Sequence, residues 1–331
     1  MSTKPAAVPP IVQHILSHVP SPPPSRARAK PLFVAIQGPQ GSGKTFLTEH
    51  VASSLAQDAG LRVATLSIDD LYLPHDGLAA LATSHPNNPL LRGRGQPGTH
   101  DIQLGLRTLT ALENINDPAS TSTLKLPSFD KSQFNGEGDR VPEADWRTVD
   151  GPIDVVLFEG WCVGFCPKSE DDIRKRLAEN IKGLEEGPLR LDLGEVGVGE
   201  EQVLEVNEIL ASYVKWWEMF DIFVKISPLD SHPYVHIYKW RLQQEHAMKA
   251  RNGGKGMTDE QVKVFIDRYI PGYHFFGDSI TVGGTNPRSA EPVRPRWLRS
   301  KQAEGDEEQR GGRLLTVVIG EDREVVEVKT M

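Results

Sequence analysis

Eight consecutive residues, Gly38-Pro39-Gln40-Gly41-Ser42-Gly43-Lys44-Thr45, fit the spacing G-x-x-x-x-G-K-[ST] in full. Glycines at these places let successive backbone N–H groups turn inward and cradle phosphate oxygens where a helix begins, and the helix dipole also favours anions there. A lysine at the seventh place reaches the β- and γ-phosphates, and the hydroxyl at the eighth can bind Mg²⁺. The motif therefore predicts binding of ATP or GTP through residues 38–45. The N-K-x-D sequence that reads guanine in GTPases is absent, as are the ABC signature and the further motifs of helicases. The remaining readings are a kinase and a nucleotide-binding regulatory protein whose chemistry has lapsed.

Two acidic segments could complete a phosphoryl-transfer site. Ser67-Ile68-Asp69-Asp70-Leu71-Tyr72 and Phe158-Glu159-Gly160-Trp161 each follow an apolar run with the look of a buried strand. In open α/β sheets ligands sit beyond the carboxyl ends of the strands. A carboxylate there can take the proton of an attacking hydroxyl, or hold Mg²⁺ through water. The plainer alternative is that Asp69 or Asp70 caps the helix that follows.

Two basic loops come next. One is Arg92-Gly93-Arg94-Gly95-Gln96-Pro97-Gly98-Thr99-His100-Asp101, and the other runs through Phe129-Asp130-Lys131-Ser132 to Gly138-Asp139-Arg140. Arginine among glycines suits a carboxylate or phosphate ligand, because the planar guanidinium forks onto two oxygens. Cations gathered in an acidic protein point to an anionic acceptor, with solvated turns as the alternative. Arg241 lies on an amphipathic helix, where it is either a surface residue or a cation over the phosphates.

These residues need a parallel sheet to bring them together. Leu32–Ile36, Arg62–Ser67, Ile153–Phe158 and Asp221–Ile226 read as strands, and a helix is expected from Lys44 to Gln57. Strands separated by helical patterns imply right-handed βαβ units. Ile173, Leu177 and Ile181 recur at four residues, and Val203, Leu210 and Trp217 at seven. Thr258-Asp259-Glu260-Gln261 is a capping box, with Pro271 as the expected helix stop. Residues 183–199 read as a surface loop. Residues 1–30 are expected to hold a short helix (Ile11, Val12, Ile15, Leu16 and Val19 on one face) and a proline-rich linker. Residues 31–284 form the main domain, 285–312 are expected to be disordered, and 313–331 to form a C-terminal β-hairpin. The fold class is α/β, a doubly wound, mostly parallel sheet flanked by helices.

Composition narrows the partners. A net charge of −8 argues against a general nucleic-acid binder, which carries a basic excess. No apolar run approaches the roughly 18 to 20 residues of a membrane span, and no signal peptide opens the chain. Two cysteines, Cys162 and Cys166, are too few for a disulfide framework, which fits a cytoplasmic protein. The partner expected is a small molecule.

Taken together, the Gly38–Thr45 loop, Ser67–Tyr72, Arg92-Gly93 through Asp101, Phe129–Ser132 with Gly138-Asp139-Arg140, and Phe158–Trp161 resemble the D-glycerate 3-kinase family. That family includes fungal glycerate-kinase-like ATP-binding proteins and stands near uridine kinase, phosphoribulokinase and pantothenate kinase. The resemblance runs from about Pro31 to Gly284. It implies a P-loop NTPase fold, ATP as donor, Mg²⁺, and phosphorylation of D-glycerate to 3-phosphoglycerate. It further implies Lys44, Asp69 and Glu159 as catalytic, with Asp69 the base, and Thr45 and Glu159 on the metal. Arg241 would join residues 38–45 on ATP. Asp70, Tyr72, Arg92, Arg94, His100, Asp101, Asp130, Lys131 and Arg140 would surround the acceptor.

Overall fold

The computed structural model describes residues 5–19, 30–179, 181–229, 233–251, 253–254, 256–299 and 312–331. The strands are β1 (Leu32–Gln37), β2 (Val63–Ser67), β3 (Thr123–Leu126), β4 (Phe129–Asp130), β5 (Asp139–Arg140), β6 (Arg147–Asp150), β7 (Val155–Gly160), β8 (Ile222–Pro228), β9 (Gly284–Thr285), β10 (Pro292–Val293), β11 (Leu314–Ile319) and β12 (Val325–Thr330). Six of them form the central sheet, in the order β12-β11-β8-β1-β7-β2. Every pairing in it is parallel except β11 with β12, the expected C-terminal hairpin. The central strands β1 and β7 are covered on both faces, which is why they read as unbroken apolar runs rather than alternating ones.

The helices are α1 (Val8–Leu16), α2 (Lys44–Gln57), α3 (His75–Ser84), α4 (Ile102–Glu113), α5 (Glu170–Leu177), α6 (Glu200–Leu210), α7 (Val214–Trp217), α8 (Pro233–Arg251), α9 (Asp259–Asp267), α10 (Ile270–Phe276) and α11 (Ser279–Val282). On one side of the sheet α2 buries Leu47, Val51 and Leu55, spaced four apart, against Val34, Ile36 and Val224. Helix α1 joins this layer through Val8, Ile11 and Ile15, all buried, while Leu16 is 39% exposed. Burying three such side chains contributes about 5 to 9 kcal/mol before entropy, enough to dock a short helix. The second layer centres on Phe158, Trp161, Trp216 and Trp217, each with no exposed surface.

Three local expectations are corrected. Pro271 does not stop a helix: α9 has already ended at Asp267, and Pro271 sits in the first turn of α10, where a missing N–H costs nothing. Ile181 is buried but lies beyond the end of α5. Residues 286–299, expected to be disordered, carry β10 and a 3₁₀ turn at Arg296–Leu298. Trp297 anchors this segment, buried on Phe223 at 4.5 Å with its indole N–H on the Ile280 carbonyl at 2.9 Å. A single large aromatic outweighed the polar composition around it. The remainder of that expectation, and the proline-rich linker, lie outside the described residues. Among the described residues, no helix is long and apolar enough to cross a membrane.

The sheet register sets up the site. Ile36 of β1 lies beside Glu159 of β7, which in turn lies beside Ser67 of β2. The three carboxyl ends therefore deliver the glycine loop, Glu159 and Asp69 to one edge.

Candidate active site

The loop between β1 and α2 turns on Gly41 at φ 76° and Gly43 at φ 82°, left-handed conformations that favour glycine. Gly43 is the N-cap of α2, so Lys44 and Thr45 open the helix and its free N–H groups face the loop. Ser42 is buried, and its N–H donates to the Pro39 carbonyl at 3.2 Å. The loop is braced from outside as well. The Gln40 N–H donates to the Tyr273 hydroxyl at 3.0 Å, and the Arg323 guanidinium donates to the Gly41 carbonyl at 3.0 Å. Helix α8 crosses so closely that a Cβ on Gly41 would stand 2.7 Å from backbone atoms of Trp240 and Arg241. Arg241 itself pairs with Glu245 at 2.7 Å and lies over the Phe265 ring at 5.2 Å.

Below the loop, the Thr45 hydroxyl donates to Glu159 Oε1 at 3.0 Å. The other oxygen of this buried carboxylate, Oε2, has no partner among the described residues. Asp69 and Asp70 sit on a 3₁₀ turn, Ile68–Leu71, capped by Ser67. The two carboxylates point to different tasks. Asp70 accepts from the backbone N–H groups of Ser67 at 3.4 Å and Phe129 at 3.3 Å. Burial, with Asp69 alongside, pushes its pKa up to about 6. Asp69 instead meets side chains, accepting from the Tyr72 hydroxyl at 3.0 Å and from Lys131 at 2.5 Å. Burial acts to raise the Asp69 pKa, but the nearby Lys131 and Lys44 ammonium groups outweigh it and hold the carboxyl well below its usual range. Asp69 is ionised at any physiological pH.

Several cations gather around the Tyr269 phenol, within reach of Asp69. Lys131 projects from the hairpin formed by β4 and β5, and Arg94 reaches the same hairpin, donating to the Gly136 and Glu137 carbonyls and lying over Phe129. Two further groups come from beyond the C-terminus of α9. Arg268 donates to the carbonyls of Arg92 and Arg94, and Tyr269 is buried with its ring edge-on to Trp161 at 4.9 Å. Burial raises the Tyr269 pKa and Asp69 adds to the rise, whereas Arg268, Arg94 and Lys131 act against it. The phenol thus sits among one anion and three cations.

The chain is 36% identical over 249 residues to a probable ATP-dependent kinase of Saccharomyces cerevisiae, TDA10, spanning 74% of this chain and 78% of that protein. A solved structure of D-glycerate 3-kinase from Cryptococcus neoformans superposes with a TM-score of 0.79 at 37% identity, covering 98% of this chain and 99% of the other. The chain belongs to the D-glycerate 3-kinase family. The chloroplastic D-glycerate 3-kinase of Arabidopsis thaliana is 34% identical over 265 residues, or 80% of this chain, which spans about half, 51%, of that longer protein. No family model matches the chain. The protein is an ATP-dependent P-loop kinase.

Several of the residues expected at the acceptor also make contacts within the protein. Asp70 ties the 3₁₀ turn to β4 through backbone contacts. Asp101 caps α4 by accepting from the Leu104 N–H at 2.9 Å and pairs with Arg140 at 3.1 Å. Arg140 also donates to the Tyr72 carbonyl at 2.7 Å, so this pair fixes Tyr72. Asp130 spends an oxygen on Ser132, at 2.9 Å to its N–H and 2.6 Å to its hydroxyl. Arg92 is exposed and donates to the Pro86 carbonyl at 2.9 Å. Each of these side chains is thus held by groups of the protein itself. His100 is buried and its pKa falls to about 3, so it offers no charge. It stacks on Tyr72 at 4.4 Å and shares a hydrogen bond with the Tyr213 hydroxyl at 2.8 Å, holding Tyr72 against Asp69. Lys131 stays paired with Asp69, and sequence reasoning missed Arg268, Tyr269, Tyr273 and Arg323.

Proposed function

We propose that this kinase transfers the γ-phosphoryl group of ATP to a terminal hydroxyl of D-glycerate. The observation that carries the reading is the pairing of Asp69 with Lys131 beside the Tyr269 phenol, which Arg94 and Arg268 also influence. Asp69 receives the hydroxyl, while the Lys131 ammonium, in the positive field that Arg94 and Arg268 add, suits the carboxylate of a small hydroxy acid. Names of the relatives support the same acceptor.

The residues divide the work. The backbone of Gly38–Thr45 and Lys44 grip the phosphates, and α8 with Tyr273 and Arg323 keep the loop in shape. The acceptor oxygen bonds to the γ-phosphorus as the bond to the β–γ bridging oxygen breaks. Asp69 takes the acceptor proton, and ADP leaves. A depressed carboxyl pKa makes Asp69 a weak base, but the transfer is loose and the hydroxyl proton becomes acidic only late. Orientation of the hydroxyl is the larger part of its contribution.

Thr45 and Glu159 fit Mg²⁺: both offer hard oxygen, and the unpartnered Glu159 Oε2 is what a hydrated cation would satisfy. Among the described residues, no group of three or more His, Cys, Asp or Glu could hold a metal. The ion would therefore come with the nucleotide, bound largely by its phosphates. When bound, Mg²⁺ offsets the charge of the β- and γ-phosphate oxygens.

The test is an ADP-release assay of the purified protein with D-glycerate, L-glycerate, glycerol, pantothenate, uridine and hexoses. D-Glycerate is expected to give the highest kcat/KM, with 3-phosphoglycerate as product. Rapid phosphorylation of a neutral nucleoside or sugar with D-glycerate inert would overturn the acceptor assignment and leave the kinase class intact.

A further inference from the structure

Both oxygens of Asp69 already accept a hydrogen bond. Oδ1 accepts from the Tyr72 hydroxyl at 3.0 Å, and Oδ2 from Lys131 at 2.5 Å. A carboxylate has room for about four hydrogen bonds, so a hydroxyl can join these two, but Asp69 gains basicity toward it only if one of the two donors moves off. Tyr72 is the fixed one. It is 1% exposed, stacked on His100 and edge-on to Phe129 at 5.3 Å, and its carbonyl is held by Arg140. Lys131 is the releasable one, since its side chain is 54% exposed against 19% for Asp69. The ammonium is half in solvent, so an incoming carboxylate can reach it and take over as its counter-ion.

The hairpin that carries Lys131 is itself held down. Arg94 donates to the carbonyls of Gly136 and Glu137. His75 bonds Glu137 at 2.9 Å and stacks on Phe134 at 3.8 Å, and the His75 N–H donates to Asp139 at 2.8 Å. Release therefore needs only the lysine's four-carbon stem to swing, not the hairpin to move. The neighbouring guanidinium groups are committed elsewhere, Arg94 to this hairpin and Arg268 to the Arg92 and Arg94 carbonyls. The transferable positive charge in the cleft is that of Lys131.

We propose that Lys131 is both the receptor for the acceptor's carboxylate and a lock on Asp69, occupying the base until an anionic acceptor draws the ammonium away. The substrate-class half of this rests on the D-glycerate reading; the lock half does not. Its value is discrimination against water. With Asp69 unlocked and no acceptor present, a water oxygen can bond to the γ-phosphorus as the β–γ bridging bond breaks. The water's proton then passes to Asp69, and ADP and phosphate are released. A locked Asp69 suppresses that loss of ATP, and a neutral alcohol cannot open the lock.

The test is Lys131→Met beside Lys131→Arg. In Lys131→Met, ADP release without acceptor is expected to rise several-fold, and kcat/KM for D-glycerate to fall about ten- to a hundred-fold, the span for losing a charge-assisted contact. Glycerol, which cannot open the lock, should gain turnover in Lys131→Met as water does, and Lys131→Arg should reverse much of each change. The pH profile separates this from a loss of folding. Other groups near Asp69 stay in place: Lys44, Asp70, Tyr72, His100 and Tyr269. Removing the Lys131 charge raises the Asp69 pKa, so the ratio of variant to wild-type kcat/KM should decline as pH falls from 7 to 5. Unchanged acceptor-free hydrolysis together with a pH-independent ratio would overturn the lock. An unchanged KM for D-glycerate would overturn the receptor. If D-glycerate is inert in the wild type while hydrolysis rises in the variant, the lock stands and the acceptor assignment falls.

Discussion

Gly41→Ala puts the packing of the phosphate loop to a quantitative test. The substitution meets two costs. At φ 76° an alanine sits in the left-handed region, which costs about 1 to 2 kcal/mol. Its Cβ would also stand 2.7 Å from Trp240 C, Trp240 Cβ and Arg241 N. These are backbone and near-backbone atoms of α8, so no flexible tip can move aside, and overpacking of this kind costs about 1 to 3 kcal/mol. Gly43→Ala is the matched control. Its φ is 82°, but an added Cβ meets nothing within 4 Å. Gly43→Ala should therefore lose about 1 to 2 kcal/mol of unfolding free energy and Gly41→Ala about 2 to 5, measured by denaturant titration without nucleotide. Where the loop yields instead of the fold, the crowding appears as weaker ATP binding, about five- to 150-fold in Kd by calorimetry. Equal stabilities for the two variants, with wild-type ATP affinity in Gly41→Ala, would refute the claim that α8 sets the shape of the loop.

The remaining predictions concern the carboxylates and the outer brace. Asp69→Asn should keep ATP affinity while kcat drops about 10² to 10⁴-fold in the ADP-release assay, the usual span for a lost base; near-normal turnover would remove Asp69 from the chemistry. Glu159→Gln should raise the Mg²⁺ concentration for half-activity about 10- to 100-fold, and an unaltered Mg²⁺ titration would reduce the Thr45–Glu159 contact to a structural bond. Asp70 binds its proton more tightly in the folded protein than unfolded, so its contribution is present below pH 3.8 and lost as pH rises through about 6. The wild type should therefore lose up to about 3 kcal/mol relative to Asp70→Asn between pH 4 and 7, followed by chemical denaturation; a constant difference would contradict a buried, destabilised carboxylate. Arg323→Ala should raise KM for ATP with KM for the acceptor unchanged, because its guanidinium bonds the Gly41 carbonyl and Gln243 at 2.9 Å rather than the acceptor side; equal rises in both would mark a general loss of structure.

How much of this was legible in the sequence depends on how local each signal is. The glycine loop carries its own geometry, since the spacing that positions Lys44 also dictates the turn, and α2 begins at Lys44 as the motif requires. The strands β1, β7 and β8 announced themselves because a parallel strand buried on both faces leaves a continuous apolar run. Asp69 and Asp70 were visible as a pair, but adjacent residues on a 3₁₀ turn point in different directions. Only the position of β4, whose Phe129 N–H claims Asp70, decides which one faces the cleft. Likewise a basic loop reads the same whether its arginines meet substrate or the next carbonyl. Arg92 and Arg140 satisfy backbone oxygens, and no pattern in residues 92–101 or 129–140 shows that.

The residues that escaped sequence reasoning share one cause: each acts on a loop far from it in the chain. Tyr273 accepts from Gln40 across 233 positions, and Arg323 reaches Gly41 across 282. Arg323 also holds a left-handed φ of 64° at the turn between β11 and β12, a conformation that costs a non-glycine residue energy. Its contacts supply an offset: the Gly41 carbonyl, the Gln243 side chain and the Trp240 ring at 5.7 Å. The Trp240 indole returns a bond to the Glu321 carbonyl in the same turn at 2.7 Å. The C-terminal hairpin is thus more than an edge for the sheet. It clamps α8 and the phosphate loop into one unit, while the proposed acceptor side, on the short β4–β5 hairpin and the end of α9, is assembled from different elements. Substitution of Lys131 is therefore expected to change KM for the acceptor and leave ATP affinity, measured by calorimetry without acceptor, as it is.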